Sequence, residues 1–354
     1  MLKKISAAIF LLIIVIFAGS CSRWYVNSLS SKKTAEIKSG EEPGQVQIIR
    51  DEYTLNELSF RLEVYDDKII AADNSLKRLQ VLDSNGTPEL IIGSLANIDK
   101  TKYKTFSFNF GSIGTFTRDD DENLYVQNRL ETRSAMSDSE GRNFTPSYIL
   151  VFNGNGELVY TMGKTGTPEF PFFYIEKLFV DSEERLFVIS RTFNSWEVFR
   201  FNKRKREKYI DFSKLEFKET EDNNTYNGKI ENIRIFKSGD EILLSVAYYH
   251  DVRFKYRKLY LFSLEKDKLL RELGTFPDPK NVLFNIVDDK IIYFWNVEGK
   301  DIKFMLVNMD GNIINNIKVE FDTSSIFTKI ITDESGVIYS YHVYNDTLQV
   351  FKWE

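Results

Sequence analysis

The chain has 354 residues, of which 42% are hydrophobic and 14% aromatic, ample for a large core. Its net charge is −5, from 47 basic and 52 acidic residues, so it lacks the basic surface that phosphate backbones require and is read as no partner for nucleic acid. The two histidines, His250 and His342, lie far apart and Cys21 is the single cysteine, which leaves no Cys/His ligand set for zinc.

The first element is an export signal. Lys3 and Lys4 are followed by an apolar run from Ile5 to Phe17 and then by Ala18, Gly19 and Ser20. Positive, apolar, small is the grammar of a secretory signal peptide, here residues 1–20. The run is shorter than the roughly 20 residues a spanning helix needs. Cys21, alone in the chain, has no partner for an intramolecular disulfide. Ala18-Gly-Ser-Cys21 resembles the lipobox of bacterial lipoproteins, with Ala18 where Leu, Val or Ile is usual, a loosened form found in spirochaetes. The resemblance implies cleavage before Cys21, a diacylglyceryl group on its thiol, and membrane attachment through that lipid. The alternative is an ordinary signal peptide with an incidental cysteine. Cleavage also removes two lysines, leaving −7. Ser22 stands where enterobacteria place Asp to retain a lipoprotein at the inner membrane, which favours the outer membrane. Residues 21–44 are polar and read as a lipidated flexible tether.

From Gln45 to Glu354 the pattern is β throughout: short runs rich in Val, Ile, Phe and Tyr, separated by acidic or glycine turns. A unit of paired strands recurs six times, with second strands such as Lys68–Asp73, Asn123–Gln127 and Arg185–Ile189. Later units are carried by Ile233–Leu244, Phe284–Tyr293 and Lys329–Tyr339. A period of roughly 45–60 residues is that of propeller blades, and predicts an all-β, six-bladed propeller over residues 45–354. The sixth unit ends before a fourth strand, while Gln45–Ile49 has no partner in the first. This N-terminal strand is therefore expected to supply the outer strand of blade six and close the ring.

Gly163-Lys-Thr-Gly-Thr-Pro-Glu-Phe170, followed by Phe179–Val188, resembles the NHL repeat, and Ala72-Asp73 matches that repeat's last element. Ile189-Ser190 and Gln127-Asn128 depart from it. The resemblance implies an NHL/TolB-like propeller and says little of activity, since propellers host many unrelated functions. Lipobox and propeller together resemble uncharacterised spirochaete lipoproteins.

Candidate chemistry is sparse. Asp119-Asp-Asp-Glu122 reads either as a calcium loop or as a solvated turn, and the Asp-x-Asp-x-Asp-Gly order of an EF-hand is missing. Calcium is the one cofactor entertained. Asp73, Asn74, Asn128, Asn194 and Asn296 follow second strands, where they suit either a calcium-dependent hydrolase at the channel mouth or ordinary turns. No Gly-x-Ser-x-Gly elbow is present. Aromatic loops give the binding candidates: Phe172 and Phe173, and Tyr248, Tyr249 and His250 beside the basic stretch Arg253–Lys258. Exposed, they suit a protein or glycan partner; buried, they are core. The same choice holds for Phe106, Phe108 and Phe110. Lys203–Arg206 reads as a solvated hairpin turn, with phospholipid contact as the alternative. The leading expectation is a non-enzymatic interaction module for a protein or envelope component. A metal-dependent hydrolase or a ligand sensor is the alternative.

Overall fold

A computed structural model describes residues 26–49, 59–130, 136–137, 143–144, 147–163, 172–192, 195–221, 223–299, 301–322, 324–333 and 335–354. Residues 1–20, Cys21 and Asn194, and all but Gly163 of the NHL-like Gly163–Phe170 stretch, lie outside them.

Two strands precede the first blade, β1 (Val26–Ser28) and β2 (Ser31–Lys38). Blade one holds β3 (Phe60–Tyr65), β4 (Lys68–Asp73), β5 (Arg78–Leu82) and β6 (Pro88–Gly93), with β7 (Lys104–Ser107) added in parallel outside β6. Blade two holds β8 (Ser112–Arg118), β9 (Leu124–Arg129), β12 (Ser147–Phe152) and β13 (Leu158–Met162). The short hairpin of β10 (Met136–Ser137) and β11 (Asn143–Phe144) lies between its second and third strands. Blade three holds β14 (Ile175–Val180), β15 (Leu186–Arg191), β16 (Trp196–Asn202) and β17 (Lys205–Asp211). Blade four holds β18 (Phe217–Glu221), β19 (Asn224–Ile235), β20 (Glu241–His250), β21 (Arg253–Ser263) and β22 (Lys268–Phe276). Blade five holds β23 (Val282–Val287), β24 (Ile291–Glu298), β25 (Asp301–Asn308) and β26 (Ile313–Glu320), with β1 parallel outside β26. Blade six holds β27 (Phe327–Thr332), β28 (Ile338–Val343) and β29 (Thr347–Trp353), with β2 as its outer strand. The chain is a six-bladed β-propeller, with blades where the six repeats predict them.

Both faces of most inner strands are buried, so their sequences run apolar rather than alternating. In Leu186-Phe-Val-Ile189, Leu186 and Val188 pack toward blade two while Phe187 and Ile189 pack toward blade four. The core is accordingly six apolar clusters, each between neighbouring blades. Burying one such Phe or Ile contributes about 1.5–3 kcal/mol. Phe106, Phe108 and Phe110 belong to the cluster between blades one and two, with Phe108 edge-on to Phe152 at 5.6 Å.

The turns explain the repeat. In a four-stranded meander, the turns joining strands one to two and three to four emerge on one face of the ring, here called the turn face. The other connections emerge on the opposite, loop face. Six turns on the turn face share one device. Asp83, Asp119, Asn153, Asp181, Asn308 and Asp333 each accept the backbone N–H four residues on with a side-chain oxygen, at 2.7–2.9 Å. The residue three positions on lies in the left-handed region: Gly86, Glu122, Gly156, Glu184, Gly311 and Gly336. This is a tight hairpin loop closed by a bulge, with the Asx side chain pinning it. Burial alone would raise the Asp83 carboxyl, but the N–H groups of Thr87 and Asn85 hold it below its ordinary value.

Two expectations about the N-terminus are corrected. Residues 21–44 do not form a tether throughout, because β1 and β2 occupy Val26–Ser28 and Ser31–Lys38. The strand that closes the ring is β2 rather than Gln45–Ile49: Ile37 pairs with Leu348 and Ala35 with Val350. Only Ala35 and Ile37 of β2 are buried, so an outer strand that is otherwise polar resembles a linker in sequence. Residues 41–47 instead brace blade one. Gly44 N donates to Gln80 Oε1 at 2.9 Å, Gln80 Nε2 to Gln45 O at 2.8 Å and Arg78 Nη1 to Glu41 O at 2.7 Å.

Candidate functional site

Blade four outgrows its neighbours. β19, β20 and β21 run 12, 10 and 11 residues, and the extra length stands out on the loop face. β18 folds back on the first part of β19, pairing Phe217 with Gly228 and Glu221 with Asn224. Glu219 on β18 fastens this flap to β21. Its carboxylate accepts from Lys258 Nζ and Tyr256 OH, both at 2.6 Å, and from Tyr260 OH at 3.3 Å. Burial would raise Glu219, yet these donors hold it below its ordinary value, so it stays charged. Gly228 allows the close approach. A Cβ there would lie 2.6 Å from Phe217 Cβ and 2.8 Å from Val246 Cγ1.

Between this extension and blade three lies a cavity of about 680 Å³. Its apolar floor is Trp196, Phe212, Leu215 and Phe217, and Val282 of blade five reaches its edge. Trp196 Nε1 donates to Ile230 O at 2.9 Å, tying the blade-three wall to blade four. The Arg191 guanidinium lies 5.6 Å above the same indole.

The polar rim is charged. Arg257, only 3% exposed, donates from Nε to Glu231 Oε2 at 2.7 Å and from Nη1 to Asn281 O. Tyr249 OH donates to Glu231 Oε1 at 3.3 Å. Burial and the Glu231 carboxylate push the Tyr249 hydroxyl above its ordinary value, so it remains a donor at neutral pH. Asn232 Nδ2 donates to Leu283 O at 3.0 Å and fixes that wall to blade five. On the blade-three side Asp211 accepts from Ser213 N at 2.8 Å and Ser195 Oγ at 3.2 Å. Those donors outweigh the burial that would raise it and hold it below its usual value. Glu231 is thus matched by Arg257, while Arg191 and Lys229 are exposed cations at the mouth.

The predicted binding residues divide. Tyr248 is 1% exposed, its hydroxyl 2.6 Å from that of Tyr260 and its ring 5.2 Å from Tyr256. Phe172 is 2% exposed and edge-on to Phe199 at 5.3 Å. Both are core rather than offered surface, because long side chains at those positions point into the spaces between blades. Tyr249 and Phe173 are half-buried and His250 is exposed. Sequence reasoning found Tyr249 but not Trp196, Arg191, Lys229 or Glu231. The available signal was the length of the polar-aromatic run 217–232 at the start of the fourth blade.

The channel-mouth candidates are engaged in joining loops. Asp73 accepts from Gln47 N at 2.6 Å, Ser75 N at 2.8 Å and Leu76 N at 2.9 Å. Asn74 accepts from Ile113 N at 2.6 Å and Asn128 from Gly111 N at 2.9 Å. Asn296 Nδ2 donates to Asn281 Oδ1 at 3.2 Å. Asp119 is held by Asn123 N, Asn123 Nδ2 and Tyr125 OH at 2.7–3.0 Å, as the turn reading of the acidic run requires. Among the described residues no three His, Cys, Asp or Glu side chains converge where they could hold a metal ion. Lys203 and Arg204 form the turn between β16 and β17.

No protein family's sequence profile matches the chain, and no curated protein matches it. Solved structures do. The Dos1 propeller aligns over 94% of this chain and 96% of its own, with TM-score 0.44 and 10% identity. A protein of unknown function from Bacteroides caccae covers 82% of each chain, with TM-score 0.38 and 12% identity. A gluconolactonase from Xanthomonas campestris aligns over 81% of this chain and 82% of its own, with TM-score 0.42 and 10% identity.

Proposed function

We propose that the protein is an exported lipoprotein, acylated on Cys21, whose propeller binds a protein or envelope component in the cavity between blades three and four. The observation that carries the binding reading is that cavity: about 680 Å³ with an aromatic floor and two exposed cations at its mouth. Ligand sites are typically concave, mostly apolar and furnished with a few placed polar groups. Arg191 and Lys229 suit an acidic group and Trp196, Phe212 and Phe217 an apolar one. The fitting ligand is an acidic, partly apolar segment. The anchor reading rests on the sequence from Lys3 to Cys21, and Ser22 favours the outer membrane. An NHL-like ancestry is the finer form of the same proposal, supported by Gly163–Phe170 and Ala72-Asp73.

Two variants test the two halves. Cys21→Ser is expected to abolish acyl labelling and release the protein from the membrane pellet; a mutant that stays bound, with no label on the wild type, defeats the anchor. Detergent-solubilised full chain immobilised on beads is expected to retain an envelope component, and Lys229→Glu to reduce that retention at least tenfold. Equal retention by both proteins would remove the cavity from the binding account.

A further inference from the structure

The path of the N-terminus limits how far the fold can stand from Cys21. β1 lies along the outer edge of blade five, with Val26 opposite Asn316 and Ser28 opposite Lys318. Four residues separate Cys21 from Val26. Fully extended, that stretch reaches at most roughly 18 Å, against roughly 80 Å for a tether spanning 21–44. Because β1 is parallel to β26, its start lies toward the end of β26 that carries Ile313 and Ile314.

Those two side chains are 54% and 50% exposed. Neighbouring strand residues point to opposite faces, so the edge of blade five projects with apolar surface on both sides. The next strand on the rim, β2, presents Lys32 and Lys38 to solvent, with Lys33 paired to Glu36 at 2.8 Å. Exposed apolar side chains within a short reach of an acyl anchor match the boundary between headgroups and acyl chains.

Resting on the reading that Cys21 is acylated, we propose that the rim of blades five and six docks on a lipid bilayer. Ile313 and Ile314 enter the headgroup boundary while the acyl chains on Cys21 hold the rim there. The ring then stands edge-on, and both faces stay open to solution. The cavity between blades three and four sits two blades around from the contact.

The test uses full-length acylated protein in vesicles of phosphatidylcholine and phosphatidylglycerol. Acylation consumes the Cys21 thiol, so an introduced cysteine is the sole free thiol. Ile314→Cys carries a nitroxide at the second residue of the fourth strand of blade five. Val159→Cys carries one at the matching place in blade two, across the ring, where Val159 is also 50% exposed. Collision with oxygen relative to a water-soluble nickel chelate is expected to be at least fivefold higher at position 314 than at 159. A twelve-residue Gly/Ser insertion between Tyr25 and Val26 should bring position 314 down to the value at 159 without loss of vesicle binding. Equal, water-like values at both positions on bound vesicles would overturn the docking and leave the lipoprotein reading intact. A label at 314 shielded from both reagents, and freed by dilution in lipid, would mean a second copy covers the rim and would also overturn it. Protein that takes up no acyl label overturns the anchor, and the docking with it.

Discussion

The two faces of the ring differ in how their turns are built. On the turn face one device repeats: an Asx side chain pins a hairpin whose fourth residue lies in the left-handed region. On the loop face that pinned hairpin gives way to shorter turns, in which Asp73, Asp211, Asp278 and Asp322 accept the N–H two residues on at 2.8–2.9 Å. That face carries the flap of blade four, the cavity and six exposed large apolar residues: Ile49, Tyr174, Val252, Val282, Val297 and Ile326. The other exposed large apolar residues among those described lie on outer strands, and none lies on the turn face. The pinned turns brace blades one, two, three, five and six, and the cavity proposed to bind opens on the other face.

Substitutions on each face should therefore fail differently. The largest effect is expected at the turn face. Asp181, 2% exposed, accepts from Arg185 N at 2.9 Å and Arg185 Nε at 2.7 Å. Asp181→Ala leaves a buried guanidinium short of its partner and is expected to lower stability by about 3–5 kcal/mol in denaturant titrations. Ligand retention by the fraction still folded should be unchanged.

The second effect depends on pH. His342 is buried beside Ser340 Oγ at 2.8 Å and Thr328 Oγ1 at 3.1 Å, and burial pulls it from 6.5 down to about 4. The unfolded chain takes up the proton first as pH falls. Stability from the neutral imidazole is thus whole above about 6.5 and declines until about 4, by about 3 kcal/mol in all. His342→Gln should flatten that part of the pH profile; an unchanged slope would move the acid sensitivity elsewhere.

The loop face yields smaller losses of stability with larger losses of binding. Gly228→Ala forces a Cβ against Phe217 and Val246 and is expected to lower stability by about 1–3 kcal/mol. Because the strain falls on the β18 flap, retention should drop more than stability does. Smallest is a gain. Glu184 occupies the left-handed position of its turn at φ 60°, and burial and the acids at 119–121 raise its carboxyl. Glu184→Gly should add about 1 kcal/mol, read as a higher unfolding midpoint, with binding untouched.

The same contrast governs what was legible in the sequence. Repeated turns print themselves as Asp or Asn followed three places on by Gly, as in Asp83–Gly86, Asn308–Gly311 and Asp333–Gly336. With buried runs such as Leu186–Ile189, they were enough to place all six blades. The closing strand was not legible, because Ser31–Lys38 shows only Ala35 and Ile37 to the core. Nor was the β18–β19 flap. Lys218-Glu-Thr-Glu221 reads as a polar loop, and what fastens it as a strand is Glu219 meeting Lys258, Tyr256 and Tyr260, residues 37 to 41 positions away. The cavity inherits that blindness, since its walls come from three blades. Tyr248 and Tyr249 show the limit at one residue's resolution: adjacent in sequence, one points into the core and the other toward Glu231.

The most direct test sets one face against the other in a single assay. Full chain carrying Arg191→Glu with Lys229→Glu on the loop face is compared with full chain carrying Asp120→Lys with Asp121→Lys on the turn face. Retention of the envelope component and the thermal midpoint are both measured. The loop-face pair is expected to cut retention at least tenfold with a midpoint close to wild type, and the turn-face pair to leave retention unchanged. Retention lost by the turn-face pair and kept by the loop-face pair would contradict the assignment of binding to the loop face.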